Sequence, residues 1–196
     1  MVKRLSFLAA AAALVFAVPS QVEAQTTLYL GAGGGFPSGD FSEYAKTGFL
    51  GVGGVLFNIP NVPGLGAGGE VFYGSFSHDE YDLGTIPTTS ANFSAVAGTA
   101  DSDKTDIYGV MGILDYVFDT GGALEPYLFG GLGLLVHKYS TDIEGLSESK
   151  SYFGYEFGAG LGYRVSESIS IFGEGRFMGA TDTKLWGLLA GLAFQL

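Results

Sequence analysis

Residues 151–165 read SYFGYEFGAGLGYRV. One parity of this stretch holds Phe153, Tyr155, Phe157, Ala159, Leu161, Tyr163 and Val165. The other holds Tyr152, Gly154, Glu156, Gly158, Gly160, Gly162 and Arg164. A period of two marks a β-strand with two unlike faces. One face is aromatic and aliphatic; the other is mostly glycine with one acid and one base. The fold follows from deciding which face meets the surroundings, and what those surroundings are.

The same alternation runs through the rest of the chain. Strands are expected near 26–36, 47–57, 65–76, 106–118, 124–138, 151–165, 169–178 and 184–196. Residues 37–46, 77–105 and 139–150 are long polar connections. Residues 58–64 (NIPNVPG), 119–123 (DTGGA) and 166–168 (SES) are short, and the first two are rich in turn-setting residues. The short 179–183 gap falls on the long-loop side. An even strand count with tight turns at one end and longer loops at the other is the layout of an outer-membrane barrel, though a soluble up-and-down barrel also has eight strands.

The charged residues fix strand parity. Glu70 shares a face with Gly66, Gly68, Phe72 and Gly74; Asp115 with Ile107, Gly109, Met111 and Ile113; Glu125 with Tyr127, Phe129, Gly131 and Gly133. Glu174 and Arg176 sit with Ser170 and Phe172, and the last strand presents Trp186, Leu188, Ala190, Leu192, Phe194 and Leu196 on one face. The second strand, GFLGVGGVLFN, is apolar on both parities and its facing stays open. In water the charged face would point outward and carry many Lys, Glu, Asp and Thr. Here it carries mainly glycine, which weakens a strand without compensation. Turned round, the pattern is coherent: the apolar faces meet lipid, and the charges face a lumen that eight strands leave just wide enough to be filled by side chains. The chain is therefore read as all-β, an eight-stranded antiparallel up-and-down transmembrane β-barrel. Aromatic positions give two interfacial girdles. Tyr73, Tyr108, Phe153, Tyr155, Phe177 and Trp186 lie near the loop ends, and Tyr116, Phe118, Tyr163 and Phe194 near the turn ends.

The chain's start agrees with export. Lys3 and Arg4 precede an apolar run from Leu5 to Val18, then Pro19, Ser20 and Val22-Glu23-Ala24. This reads as a signal peptide, residues 1–24, followed by the barrel, 25–196. N-terminal sequencing of protein from outer-membrane fractions should start at or within a few residues of Gln25. Intact Met1 protein in the inner membrane would contradict the cleavage. The chain has no Cys, so it folds without disulfides. Removing Lys3, Arg4 and Glu23 leaves 7 basic and 19 acidic residues, a net charge of −12, which argues against nucleic acid as a partner.

The signal peptide, eight strands, tight turns and alternating last strand WGLLAGLAFQL together resemble the small outer-membrane β-barrels of the OmpA/OmpX type. The resemblance covers the mature chain and implies the outer membrane of a Gram-negative-type bacterium. It also implies recognition by the outer-membrane assembly machinery and contact with outer-membrane lipid and lipopolysaccharide. That family usually ends its last strand in an aromatic residue; here Leu196 is last and Phe194 lies two positions earlier. No periplasmic domain is expected beyond the last strand.

The inward charges Glu70, Asp115, Glu125, Glu156, Arg164, Glu174 and Arg176 are expected to form a lumenal network. Arg164 should pair low, with Glu125 or a neighbour, and Arg176 higher, with Glu70 or Glu156. Such a network is either a structural plug or a polar, cation-preferring path. His78 and His137 are the only histidines, and His137 has Ser140 and Glu144 nearby in sequence, but no motif supports a triad. In Asp101–Asp106 (DSDKTD), three acids could ligate Ca²⁺, yet Asp106 and Gly112 occupy the sixth and twelfth positions, where a calcium-binding loop needs Gly and Glu. The function expected is a structural or surface-interaction role, with binding through the long loops. A narrow small-solute or ion channel is the alternative, and a lipid-modifying enzyme a distant third. No enzymatic activity, cofactor or metal is expected.

Overall fold

The computed structural model describes residues 25–43, 45–78, 104–140, 147–181 and 183–196; the expected signal peptide lies outside them. Eight strands follow in order: β1 (Thr26–Ser38), β2 (Gly48–Asn58), β3 (Leu65–Ser77), β4 (Lys104–Val117), β5 (Leu124–Ser140), β6 (Ser147–Arg164), β7 (Ile169–Ala180) and β8 (Thr183–Gln195). A short 3-10 helix, Gly39–Glu43, follows β1. Each strand pairs antiparallel with its sequence neighbours, and β1 also pairs with β8, from Thr27 opposite Gln195 to Ser38 opposite Lys184. The sheet is thus a closed barrel with no free edge, the β solution to satisfying every backbone group in lipid.

Burial follows the parity read from the sequence. Along β6, Phe153, Tyr155, Phe157, Leu161 and Tyr163 are exposed, while Gly154, Glu156 and Gly162 are buried. Leu30, Leu128, Leu132, Leu134, Phe157 and Leu188 are each more than half exposed on the outer surface. An apolar belt of this extent has no place in water. In β2, Leu50 and Val52 point inward and Phe49 outward. Its inner face is apolar because it belongs to the packed half of the lumen, which is why parity could not be read there.

The inward glycines make space for the ring of a neighbour. A methyl group on Gly160 would collide with the Tyr127 ring, on Gly54 with Tyr29, on Gly158 with Phe129, on Gly109 with Phe72 and on Gly191 with Phe172. From the sequence, Ser at Gly131 or Gly160 would be milder than Arg on the outer face. The packing corrects this: both sites are already filled, Gly160 by Tyr127 and Gly131 by Ile113 and Glu156. At the tight turns, Asn61 (φ 68°), Gly64 (φ 80°) and Gly121 (φ 70°) adopt left-handed backbone, the conformation these residue types tolerate.

The expected 139–150 connection is shorter than read. The ladder of β5 and β6 continues to Ser140 opposite Ser147. Beyond the lipid, side-chain polarity no longer marks where backbone pairing stops. The 179–183 connection likewise tightens, with Ala180 opposite Thr183.

Candidate functional site

The lumen is the place where the chain gathers its buried charge, and it is built in three layers. Toward the loop end it is apolar. Leu50, Phe72, Phe76, Ile107, Leu135, Met178, Leu185 and Leu189 are buried there, each from the inward parity of its strand. Phe41, carried by the 3-10 helix, caps them and stacks edge-on against Phe76 with ring centroids 5.3 Å apart. Its neighbours Gly39, Asp40, Ser42 and Glu43 are polar or small, so the sequence read this segment as an ordinary loop. Two aromatics, Phe41 and Tyr44, in an otherwise polar connection were the available signal.

The middle layer is organised by Arg176, which is 1% exposed. Its Nε donates to Glu174 Oε1 at 2.9 Å. Its Nη1 donates to Glu70 Oε1 at 2.5 Å and to Glu156 Oε2 at 3.0 Å. Its Nη2 donates to Glu70 Oε2 at 3.0 Å and to Glu174 Oε1 at 2.5 Å. Five bonds use the five N–H donors of a guanidinium. Two phenols complete the layer: Tyr29 donates to Glu70 Oε2 at 2.9 Å, and Tyr127 to Glu174 Oε2 at 2.8 Å. The Phe129 ring lies 5.0 Å from the Arg176 Cζ. One guanidinium thus holds three carboxylates from β3, β6 and β7, well hydrogen-bonded as a buried ion cluster must be. Sequence reasoning missed Tyr29: nothing in β1 marks one inward tyrosine as a carboxylate partner.

Toward the turn end the lumen widens into a vestibule of about 870 Å³. Arg176, Glu70 and Glu174 form its floor, and Tyr29, Tyr127, Phe129 and Phe172 contribute to its walls. Near its mouth Arg164 donates to Glu125. Asp115 lines the vestibule outside both ion clusters, and its Oδ1 is buried with no hydrogen-bond partner among the described residues.

The remaining candidates lie elsewhere. The ten girdle aromatics all fall on the outer parity. Phe177 stacks on Trp186 at 5.0 Å and on Phe157 at 5.3 Å, and Tyr116 on Phe118 at 5.0 Å. His78 Nε2 lies 2.8 Å from Thr105 Oγ1, and His137 Nδ1 lies 3.2 Å from Thr183 Oγ1. Glu144 and the Ser140 side chain lie outside the described residues, as do Asp101 and Asp103. Asp106 accepts from Tyr73 and Ser75, each at 2.9 Å. Among the described residues no group of three His, Asp or Glu is placed to hold a metal ion.

A family model described as outer membrane protein beta-barrel domain matches residues 8–194. Among solved structures, the chain is similar to the Neisserial surface protein A, at 16% identity and TM-score 0.60, covering 87% of this chain and 97% of that one. It is also similar to Ail, the attachment invasion locus protein of Yersinia pestis, solved with the heparin analogue sucrose octasulfate. There the identity is 16% and the TM-score 0.55, with 89% of this chain and 100% of that one covered. A major outer membrane protein from Thermus thermophilus matches at 15% identity and TM-score 0.50, covering 89% of this chain and 100% of that one. No curated protein matches the chain. At such identities the likeness carries the fold alone.

Proposed function

Because the chain belongs to the outer membrane protein β-barrel family, and so to the outer membrane of a bacterium, we propose that it is a non-conducting surface barrel that meets its partners through its long extracellular loops. The observation that carries this reading is the filled lumen. Phe76 is 0% exposed, and Phe41 and Arg176 are each 1% exposed, so apolar packing and an ion cluster lie in series across the path a solute would take. Small barrels of this strand number are filled by side chains.

The loop sequences bear on the partner. Residues 79–103 contain Asp79, Glu80, Asp82, Asp101 and Asp103 and no Lys or Arg; residues 141–146 contain Asp142 and Glu144 and again no base. Sucrose octasulfate, the heparin analogue in complex with Ail, is a polyanion. The acidic loops of this chain favour instead a basic or neutral protein surface, by electrostatic complementarity. Lower down, Lys104, Lys138 and Lys184 sit on outward parities near the loop end, and in the proposed setting their ammonium groups would meet the phosphates of outer-leaflet lipopolysaccharide. Recognition by the outer-membrane assembly machinery belongs to the same proposal.

Single-channel recording in a planar bilayer tests the central claim. The purified mature barrel should give no discrete conductance steps. Sustained, uniform steps would favour the channel reading.

A further inference from the structure

The vestibule at the turn end plays no part in a loop-binding role. We propose that it is a binding site for a small amphipathic organic cation, an ammonium group carrying one apolar arm, which enters from the periplasmic end. Short turns mark that end in outer-membrane barrels. A volume of about 870 Å³ lies within the roughly 300–1,000 Å³ of small-molecule pockets. The walls supply faces for both halves of such a ligand. Tyr29, Tyr127, Phe129 and Phe172 offer apolar area, and aromatic faces attract cations.

The polar inventory sets the sign of the ligand. Every N–H of Arg176 is already given to a carboxylate, and Arg164 is paired with Glu125. An entering anion therefore meets no unclaimed donor on Arg176, and only a rim arginine already held by an acid. The lining acids are Glu70, Asp115, Asp119, Glu125 and Glu174, against two arginines, a formal excess of three negative charges. Among them Asp115 has a buried Oδ1 with no hydrogen-bond partner among the described residues. That oxygen packs against Gly66 of β3, and the carboxylate, tied to neither arginine and lining the cavity, is the anion a ligand ammonium would meet. Its position beside Gly66 on β3, with Phe129 opposite on β5, sets it on the barrel wall next to the aromatic face.

The probe is phenethylammonium, titrated at pH 8 into the mature barrel in phospholipid nanodiscs and followed by NMR. Phenylacetate and 2-phenylethanol serve as anionic and neutral controls of the same shape. Saturable shifts for the ammonium at residues around Asp115, Tyr29 and Phe172 are expected, with no saturable response to phenylacetate. Asp115→Asn should weaken binding by about tenfold or more, the loss of one charged hydrogen bond. Trp186 fluorescence would verify that the variant stays folded. Equal affinity for ammonium and alcohol, shifts confined to outward-facing residues, or no saturable response would each overturn the proposal and leave the vestibule as a water-filled pocket. Conductance is a separate readout, so failure here is distinguishable from failure of the sealed-lumen reading.

Discussion

Arg176→Ala should lower the unfolding free energy of the barrel in phospholipid vesicles by about 3–5 kcal/mol. The side chain is buried and holds Glu70, Glu156 and Glu174 at once. Without it three carboxylates, each less than a tenth exposed, are left facing one another with no counter-charge. Arg176→Lys should recover part of the loss, because an ammonium keeps the charge but not the five-donor fork. Glu156→Gln should cost little: Glu156 Oε1 has no hydrogen-bond partner among the described residues, and the change removes one of three crowded negative charges. Arg164→Ala, by contrast, removes a side chain 46% exposed at the rim and should shift stability by no more than about 1 kcal/mol. Urea titrations followed by Trp186 fluorescence would measure all four. A loss for Arg176→Ala no larger than that for Arg164→Ala would dismiss the cluster as a stabilising centre.

Leu132→Arg is the second large effect. Leu132 is the middle residue of β5, 59% exposed, on an apolar face that runs from Leu124 to Val136 and ends at Lys138. A guanidinium at mid-bilayer costs about 2–4 kcal/mol, falling toward zero at the interfaces. Leu161→Arg should therefore cost less, since Leu161 lies two residues from Tyr163 and close to the turn end of β6. The ratio of the two, read from unfolding in vesicles, reports depth directly. Equal losses would mean that the membrane boundary has been misplaced along the strands.

These expectations show what the sequence carries and where it stops. The facing of β3 to β8 was legible because each carries, in its membrane stretch, a charged residue on the lumenal parity or, in β8, an uninterrupted apolar row on the outer one. β2 carries no charge, and its inward Leu50 and Val52 join the apolar layer, so its two faces look alike. Parity gives the face of a residue but not its height. That Glu70, 106 residues before Arg176, reaches the same guanidinium depends on the stagger of the closed sheet. No local pattern encodes that stagger. Nor does local pattern reveal that Phe41 turns back into the barrel, since the forces that bury it come from Phe76 on another strand.

The seam between β1 and β8 has a consequence for the tempo of assembly. Thr27 lies opposite Gln195, and the Leu196 amide donates to the Thr26 carbonyl at 2.8 Å, so the ring is sealed by contacts between the far ends of the described chain. Contacts so distant in sequence are slow to form, because the entropy of closing the intervening loop is spent before any of them is gained. A chain paused after β7 would present two open strand edges, and each unpaired peptide group in hydrocarbon costs several kcal/mol. Partial sheets are thus poor residents of the bilayer. Insertion and sealing have to proceed together, and the pace of the whole process waits on the last strand to be made.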